Sequence, residues 1–374
     1  MKSKSHRILA VLSDVDFSPQ LIAILQNLRD CGADLRVVII GNTELQVAKQ
    51  IALLGWDLKH ITKRGKFGSL LNLFLLAVEI VKFRPKTLFA SGQFAAGIGM
   101  LSARLLNVPN RVFIRHHSSY HHKFKMKFGI MVDRMSNRLA TAIVAVSKVV
   151  KDILIRDEAV NPDKVSVIYN GIDLVNFRRE AILSEPRSTH TISNSRLLNI
   201  GVISRLTEWK GVEYTAAAFV RLQRDFPDSR LHIVGAFGDS YSDVKNILSK
   251  VASEKYTLEE SNSNIPLFLQ EIDVFVHVPV GIDDEAFGIV YIEALASGVT
   301  CIFTQSGVLN ELETPDRYAH VVKFRNSEEI YLNLKDIAQE RRNPKSAVSE
   351  SWLNQFSLDQ MAKGYTELLL RESR

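Results

Sequence analysis

The sequence predicts an α/β protein with two doubly wound parallel sheets, for three reasons. Strand-like and helix-like segments alternate along the chain, and the alternation starts again after a polar, Ser- and Thr-rich stretch at residues 181–195. The strand-like segments are nearly continuous apolar runs, which is typical of parallel strands covered by helices on both faces. With 374 residues the chain also exceeds one ordinary hydrophobic core, so two domains are expected.

The alternation predicts the order of the elements in each half. In the first half, the predicted strands are residues 7–15, 35–40, 60–63, 87–90 and 111–114, and the predicted helices are residues 18–29, 43–54 and 70–83. In the second half, the predicted strands are residues 196–203, 230–234, 255–258, 274–278 and 299–303, with helices at 212–224 and 357–370. We therefore expect one domain over residues 1–180, a second over 190–355, and a C-terminal helix in 356–374 that packs back on the first domain.

Two such domains are expected to face each other across a cleft. Ligands of parallel sheets bind outside the carboxyl ends of the strands. Functional side chains should therefore lie just after strands, and most of the distinctive ones in this sequence do.

Composition narrows the class of protein. Only two cysteines are present, Cys31 and Cys301, so neither a disulfide framework nor a cysteine-rich metal site is expected, and a reducing compartment is favoured. The apolar run at residues 8–12 is too short for a signal peptide and is expected to form a buried strand. The most apolar segment, residues 70–83, is shorter than the roughly 20 residues of a membrane span, so we expect a buried crossover helix. These features predict a cytoplasmic protein.

Charge is distributed unevenly between the two halves. Residues 1–180 carry 27 Lys and Arg against 14 Asp and Glu, a net charge of +13, whereas residues 181–374 carry a net charge of −7. The basic half suits an anionic partner such as a membrane leaflet or a phosphorylated acceptor, and the alternative is ordinary solvated surface charge. The segment KFKMKF at residues 123–128 alternates Lys with Phe and Met, so it either meets a lipid surface or forms an ordinary exposed loop. Nucleic acid is not an expected partner, because only one half is basic.

The strongest functional signal is a pair of acids in the second domain. Glu285 and Glu293 are separated by seven residues, and Phe287-Gly288 stand just after the first of them, where a helix is expected to begin. A helix N-terminus offers backbone N–H groups and the positive end of the helix dipole to a diphosphate, and glycine lets the phosphate approach closely. Carboxylates on either side could bind sugar and ribose hydroxyls. Each residue alone also has a non-functional interpretation. Glu285 could be a solvated acid of a loop, and Glu293 could be a buried acid that is hydrogen-bonded to a neighbouring backbone group.

A second signal follows the strand at residues 196–203. Arg205 and Lys210 are five residues apart across one turn, and Gly211 follows just before a helix. A guanidinium fork and an ammonium point charge in one turn suit a pyrophosphate leaving group, on which negative charge develops. Either residue alone reads equally well as a capping or surface residue.

These motifs together resemble family 4 of the retaining glycosyltransferases, a group with the GT-B fold that is also called glycosyl transferases group 1. The resemblance covers nearly the whole chain. Besides the acid pair with its following EALASG and the basic turn, it includes three further segments: VAVSKVVKD at residues 144–152, VIYNGID at 167–173 and LHIVG at 231–235.

The resemblance implies a retaining, metal-independent transferase that moves a hexose-type sugar from a nucleotide diphosphate to a glycan or lipid-linked acceptor. The second domain would hold the donor and the first domain the acceptor, with no cofactor beyond the donor substrate. Assembly of bacterial surface polysaccharide at the inner face of the cytoplasmic membrane is the expected setting. The residues implied in catalysis are Glu285, Arg205, Lys210 and His116. Those implied in donor binding are Glu293, Ala286, Phe287, Gly288, Ile289 and Gly201.

A cluster of histidines, HHSSYHH at residues 116–122, follows the strand at 111–114. Four imidazoles invite a metal interpretation, but no cysteine or carboxylate ligand stands beside them in the sequence, so no metal site is expected. The family implies a histidine here near the donor sugar, and His116 is favoured slightly over His117. Asp14-Val15-Asp16 matches the Asp-x-Asp pattern of metal-binding carboxylates. Because it follows the first strand, in the domain expected to bind the acceptor, we do not expect a metal site there.

The chain departs from the family pattern in two loops. The loop after the first strand reads SDVDFSPQ and lacks the usual glycine pair, which leaves acceptor placement open. The loop YTLEESNSNIP, from Tyr256, also lacks its usual glycine, so the nucleotide base cannot be inferred. The alternatives are a non-catalytic sugar-nucleotide-binding protein and a GT-B-type sugar epimerase. A nicotinamide oxidoreductase is disfavoured, because no G-x-G-x-x-G follows the first strand.

Overall fold

Two separate parallel sheets organise the chain in a computed structural model, which describes residues 6–13, 15, 18–41, 45–62, 68–178, 198–339 and 347–371. One unit comprises residues 1–171 and 355–374, and the other comprises residues 172–354. Asp14, Asp16 and the predicted linker at residues 181–195 lie outside the described residues. The α/β class with two Rossmann-like parallel sheets, predicted from the sequence, is confirmed.

The sheet of the first unit has seven described strands, all parallel, in the order β3-β2-β1-β4-β5-β6-β7. Its central strand β1 is almost wholly buried and pairs with β2 on one side and β4 on the other, so the strand order reverses between β1 and β4. The strands are β1 (Arg7–Ser13), β2 (Asp34–Gly41), β3 (Asp57–Thr62), β4 (Thr87–Ser91), β5 (Asn110–Arg115), β6 (Ala142–Ala145) and β7 (Val165–Val167).

Helices connect these strands, and side-chain caps mark several of their first turns. Ser18 accepts a hydrogen bond from the Leu21 amide at 3.2 Å, and Pro19 occupies the first helical position, so α1 begins where both residues favour it. Ser147 caps α7 in the same way. The helices are α1 (Pro19–Asp30), α2 (Gln46–Leu53), α3 (Gly68–Phe83), α4 (Gln93–Leu105), α5 (Tyr120–Lys123), α6 (Lys127–Leu139) and α7 (Lys148–Arg156).

The sheet of the second unit has six described strands, again all parallel, in the order β10-β9-β8-β11-β12-β13. Here the order reverses between the neighbours β8 and β11. The strands are β8 (Asn199–Ile203), β9 (Arg230–Val234), β10 (Tyr256–Glu259), β11 (Val274–His277), β12 (Thr300–Phe303) and β13 (His320–Val321). The helices are α8 (Leu174–Phe177), α9 (Val212–Asp225), α10 (Tyr241–Leu248), α11 (Ile265–Glu271), α12 (Ile289–Ser297), α13 (Ser327–Ala338) and α14 (Glu350–Asn354).

The last helix, α15 (Leu358–Leu369), belongs to the first unit and packs against α1. Tyr365 is fully buried, and its ring meets Phe89 of β4 edge to face at 5.7 Å between centroids. Asn27 of α1 donates a hydrogen bond of 2.7 Å to the Thr366 hydroxyl. The end of the chain thus completes the core of the first unit.

The apolar helix α3 was expected to be buried, and in the structure it is not. It forms where predicted, but Leu70 is 76% exposed, Phe74 64% and Val81 57%. One side of α3 packs on α4 and the sheet, with Leu76 and Ile80 fully covered. Because most residues of α3 are apolar, the side facing away from the sheet is mainly apolar, with Lys82 as an exposed charged residue in the last turn. Within the described residues, no helix combines the length and the apolar character needed to cross a bilayer.

We expect the substitution Tyr365→Ala to lower the free energy of unfolding by about 3–5 kcal/mol, the range for truncating a large buried aromatic side chain. Lys363→Ala is the matched control, because Lys363 is exposed on the same helix, and a change within about 0.5 kcal/mol is expected there. Urea denaturation followed by circular dichroism measures both. Equal small effects would show that α15 does not anchor the first unit.

Candidate functional site

The candidate site lies at the carboxyl edge of the second unit's sheet, where the strand order reverses. Strands β8 and β11 are neighbours there, and the chain leaves them toward opposite sides of the sheet. The loops that follow these two strands therefore begin at this point, which is where open α/β sheets bind ligands. Lys210 lies in the loop after β8, and Glu285 lies in the loop after β11.

Lys210 and Glu285 are in direct contact, as a salt bridge between Lys210 Nζ and Glu285 Oε1. The two loops that carry them are joined through their backbones, since the Val280 amide donates to the Trp209 carbonyl oxygen at 3.1 Å. Gly211 makes this approach possible: it adopts φ +67°, and a Cβ at this position would lie 2.2 Å from the Val278 carbonyl oxygen. A glycine is therefore required beside Lys210.

Glu285 is buried, and several groups hold it in place. Its backbone amide donates to the Ser306 hydroxyl at 3.2 Å, and a Cβ on Gly307 would lie 2.7 Å from its own Cβ. Burial acts to raise the pKa of Glu285, but the Lys210 ammonium and the His277 hydrogen bond outweigh burial and hold this pKa at about 2. The carboxylate is therefore ionised at neutral pH, and it can accept hydrogen bonds from hydroxyl groups.

His277 belongs to this cluster and was missed by the sequence analysis. It is the last residue of β11, only 2% exposed, and its Nε2 lies 2.8 Å from Glu285 Oε1. The available signal was a single polar residue inside the apolar run VFVHV, one position before the strand was expected to end. Such a histidine is also common as a packed core residue, so the pattern alone does not single it out.

Helix α12 begins beside Glu285. Gly288 precedes its first residue with φ +79°, and a Cβ there would lie 2.5 Å from the Tyr291 ring. Tyr291 is anchored by its hydroxyl, which donates to the Thr304 carbonyl oxygen at 3.0 Å. The segment from Ala286 through Phe287 and Gly288 to Ile289 thus forms the turn between Glu285 and the helix N-terminus, where the first backbone amides of a helix have no intrahelical partner.

Glu293 is the fifth residue of α12, little more than one turn from its start, and it is half-buried. Burial raises its pKa to about 7. Near neutral pH this carboxyl group therefore gains or loses a proton with little free-energy cost, so it can either donate to or accept from a hydroxyl group.

The two remaining residues of the predicted donor site differ in position. Arg205 follows β8 and is exposed at the carboxyl edge of the sheet. Gly201 lies in the middle of β8, where a Cβ would come within 2.3 Å of Ile272 Cδ1. Packing against Ile272 accounts for this glycine, so Gly201 is not part of the candidate site.

In the first unit, His116 follows β5 and is exposed, with its Nε2 3.1 Å from the Ser91 hydroxyl at the end of β4. His116 and His117 both line a cavity of about 50 Å³ at this edge, together with Gly92 and Gln93. The backbone is tight here, since Gly92 has φ +95° and a Cβ would lie 2.3 Å from the Ser13 carbonyl oxygen.

The histidine cluster has a carboxylate neighbour that the sequence did not reveal. Asp133 of α6 lies 2.6 Å from His121 Nδ1 and 3.4 Å from His117 Nε2, which corrects the expectation that no carboxylate accompanies these histidines. Arg115 also reaches Asp133, at 3.5 Å. The three groups His117, His121 and Asp133 have the spacing of metal ligands, but the Arg115 guanidinium places a positive charge beside them, which disfavours a cation.

Family models match both units of the chain. The model described as Glycosyltransferase Family 4 matches residues 21–176, and the model described as Glycosyl transferases group 1 matches residues 191–350. Two parallel sheets with this strand order and a basic turn facing an acidic loop are the features of a GT-B protein. The chain belongs to the group 1 glycosyltransferases, as its sequence motifs indicated.

Relatives and solved structures agree with this assignment. The chain is 24% identical over 181 residues to an uncharacterized glycosyltransferase of Methanocaldococcus jannaschii, covering 47% of this chain and 44% of that protein, so it spans less than half of that relative. It is 25% identical over 315 residues to the alpha-monoglucosyldiacylglycerol synthase of Acholeplasma laidlawii, covering 79% of this chain and 76% of the other. The crystal structure of Anabaena HepE in complex with UDP has the same fold, with a TM-score of 0.77 at 17% identity, covering 97% of this chain and 99% of that one.

The close approach at Gly211 predicts a measurable difference between two glycines. Gly211 and Gly298 both have φ +67°, but a Cβ on Gly298 would meet nothing within 4 Å. Gly298→Ala should therefore cost only the left-handed backbone penalty of roughly 1–2 kcal/mol. Gly211→Ala should cost about 1–3 kcal/mol more, because the added methyl group forces the Lys210 turn away from Val278. Urea unfolding of the two variants tests this, and equal losses would contradict the tight packing of the turn.

Proposed function

We propose that this protein is a retaining glycosyltransferase that moves a sugar from a nucleotide diphosphate to an acceptor without a metal ion or a cofactor. One observation carries the proposal: an ionised, buried carboxylate and an ammonium group meet at the strand-order reversal of the second sheet, next to a helix N-terminus. A sugar nucleotide needs both charges, since its hydroxyl groups donate to a carboxylate and its diphosphate requires cations.

The donor is assigned to the second unit, part by part. The diphosphate interacts with Lys210, Arg205 and the backbone amides at the start of α12, where the helix dipole also favours negative charge. Glu285 accepts hydrogen bonds from the donor sugar, and Glu293 binds the ribose hydroxyls. The Anabaena structure with UDP supports a nucleoside diphosphate as the ligand of this fold.

The chemical step requires stabilisation of charge on the departing diphosphate. As the bond from the anomeric carbon to the phosphate oxygen breaks, negative charge grows on that oxygen, and Lys210 and Arg205 neutralise it. The acceptor oxygen forms the new bond on the same face of the sugar and passes its proton to the departing phosphate oxygen, so the anomeric configuration is retained. His116 of the first unit is proposed to contribute to catalysis. This proposal rests on the family resemblance and on the position of His116 at the carboxyl edge of the first sheet.

A lipid-linked acceptor is proposed from the surface of the first unit. Helices α5 and α6 present exposed cations together with large apolar side chains, of which Phe128 is 75% and Met131 58% exposed. The exposed cations are Lys123, Lys125, Lys127, Arg134 and Arg138. Cationic side chains that alternate with large apolar side chains are typical of a surface that binds anionic lipid.

Helix α3 extends this surface. Both α3 and α6 pack against α4, and both precede strands of one parallel sheet, so their first turns lie toward its carboxyl edge. The exposed Leu70 and Phe74 of α3 are therefore at the same edge as Phe128 of α6. The similarity to the Acholeplasma laidlawii alpha-monoglucosyldiacylglycerol synthase also favours a lipid acceptor.

We expect Lys210→Ala and Glu285→Ala each to reduce sugar transfer at least about 100-fold, because each removes a charge that interacts with the donor. Nucleoside diphosphates are first ranked by the thermal shift they cause, since a ligand bound only to the folded state stabilises it. Transfer is then measured with the matching nucleotide sugars, as nucleoside diphosphate released in the presence of anionic lipid vesicles that contain diacylglycerol.

Lys335→Ala is the control for this experiment. Lys335 is also paired with an acid, at 2.8 Å from Asp225, but this pair is solvent-exposed and links α9 to α13. Wild-type turnover is expected for this variant, and circular dichroism should report a folded chain in all three. Turnover near the wild-type rate in Lys210→Ala or Glu285→Ala would remove that residue from the site. A wild-type protein that binds nucleoside diphosphates but turns over no donor would support the non-catalytic alternative.

For the membrane surface, we expect replacement of Lys123, Lys125 and Lys127 by Ala to weaken binding to phosphatidylglycerol vesicles about 100-fold at low salt. The magnitude follows from roughly 1 kcal/mol per lysine near an anionic surface. Co-sedimentation with vesicles measures the binding, and added NaCl should weaken the binding of the wild-type protein. The matched control replaces three exposed lysines of the second unit, Lys245, Lys250 and Lys323. Equal losses in the two triple variants would contradict a specific surface on α5 and α6.

A further inference from the structure

We propose that His277 is the positioning residue of Glu285: its imidazole N–H holds one carboxylate oxygen in place, so that the other oxygen is presented to the donor sugar. This inference rests on the proposed function, because it gives Glu285 a sugar to bind.

The location of His277 requires a hydrogen-bonding partner. The residue ends β11 and is almost completely buried, and its ring meets the Tyr291 ring edge to face at 4.8 Å between centroids. A buried imidazole N–H without a partner carries a substantial free-energy cost. The Glu285 carboxylate meets this need at 2.8 Å.

Both donors to the Glu285 carboxylate reach the same oxygen. His277 Nε2 and Lys210 Nζ both contact Oε1, and nothing in the described part of the chain donates to Oε2. Oε1 is therefore the oxygen that the protein holds in place, and Oε2 is the oxygen that remains available to the donor sugar. A carboxylate accepts more than one hydrogen bond at each oxygen, so Oε2 retains its full capacity for sugar hydroxyls.

The protonation state of His277 suits this task. Burial lowers its pKa, and the Lys210 charge lowers it further, against the raising effect of Glu285. A neutral imidazole carries one proton, and the Glu285 carboxylate fixes this proton on Nε2. The other nitrogen, Nδ1, is buried without a hydrogen-bond partner among the described residues, as befits the nitrogen that carries no proton. His277 therefore donates to Glu285 without adding a second positive charge next to Lys210.

Lys210 alone cannot keep Glu285 in place during the reaction. Its ammonium ends a flexible four-carbon stem, and in the proposed function it is drawn to the donor diphosphate, where negative charge is greater. When Lys210 turns to the phosphate, Glu285 loses one of its two donors. His277 stays, because its backbone is fixed in a central strand and its ring is packed against Tyr291. A rigid second donor of this kind is what keeps a binding group within its productive geometry.

The test compares two substitutions of His277. His277→Leu preserves an apolar side chain of similar size but removes the donor, whereas His277→Gln retains an N–H donor. We expect His277→Leu to lower kcat for sugar transfer about 10- to 100-fold, the range for a lost hydrogen bond to a charged group, and His277→Gln to recover most of this loss. Affinity for the nucleoside diphosphate alone should stay unchanged in both, because that ligand lacks the transferred sugar, which is the part of the donor assigned to Glu285.

His320→Leu is the matched control, since His320 is a buried histidine of β13 in the same sheet. We expect it to lower stability without changing kcat of the folded protein. If His277 serves packing alone, His277→Leu will behave like His320→Leu, with wild-type kcat and a lower melting temperature, and the proposal is overturned.

A double-mutant cycle shows whether His277 acts through Glu285. In the Glu285→Ala background, adding His277→Leu should cause no further loss of transfer, because there is no carboxylate left to position. A further loss of 10-fold or more would overturn the proposal, since His277 would then act by another route. A wild-type protein that turns over no nucleotide sugar defeats the proposed function and this inference with it. Wild-type turnover that Glu285→Ala abolishes and His277→Leu leaves intact defeats the inference alone.

Discussion

The contact between Lys210 and Glu285 is the interaction on which the rest of the site depends. A buried ion pair is costly, because both charges leave water, and it persists only where further hydrogen bonds compensate. This requirement explains the surrounding groups. His277 donates to the same carboxylate oxygen, and Ser306 receives the backbone amide of Glu285. With Lys210 and His277 as donors, the carboxylate stays ionised despite its burial, and the site holds one negative and one positive charge ready for a ligand that needs both.

Close backbone packing is the second constraint, and glycines satisfy it. The turn that carries Lys210 lies against the end of β11, and the loop that carries Glu285 lies against Gly307. Either contact would be lost if a Cβ were added, so the distance between the two charges is set by residues that have no side chain. The helix that follows Glu285 begins at another glycine with positive φ, Gly288, which places the first backbone amides of α12 beside the carboxylate.

The first unit departs from the usual division between an apolar core and a polar surface. Helix α3 leaves Leu70 and Phe74 exposed, and α6 does the same with Phe128 and Met131. Large exposed apolar groups cost solubility unless a partner covers them. The exposed lysines at 123, 125 and 127 give the surface beside Phe128 a positive charge. The proposed lipid-linked acceptor rests on these two features together.

Sequence patterns were enough to predict the class of fold, most of the strands, and the candidates Glu285, Lys210, Arg205 and Glu293. These features depend on local patterns: apolar runs define strands, helical spacing defines helices, and residues directly after strands reach the ligand-binding edge. Which groups meet became evident only from the folded chain. The contacts of Lys210 with Glu285 and of Asp133 with His121 join residues that are 75 and 12 positions apart.

The same limit explains the expectations that the structure corrected. Gly201 was assigned to the donor by its motif, but it packs against Ile272, which follows α11 some seventy residues further along the chain. Helix α3 was expected to be buried, because hydropathy records how apolar a segment is and not how many neighbours the fold supplies for it. His277 was not singled out from the sequence, since its proposed role follows from a partner in the next loop. Local sequence sets the conformation of each segment, whereas burial, partner and charge state depend on distances that exist only after the chain has folded.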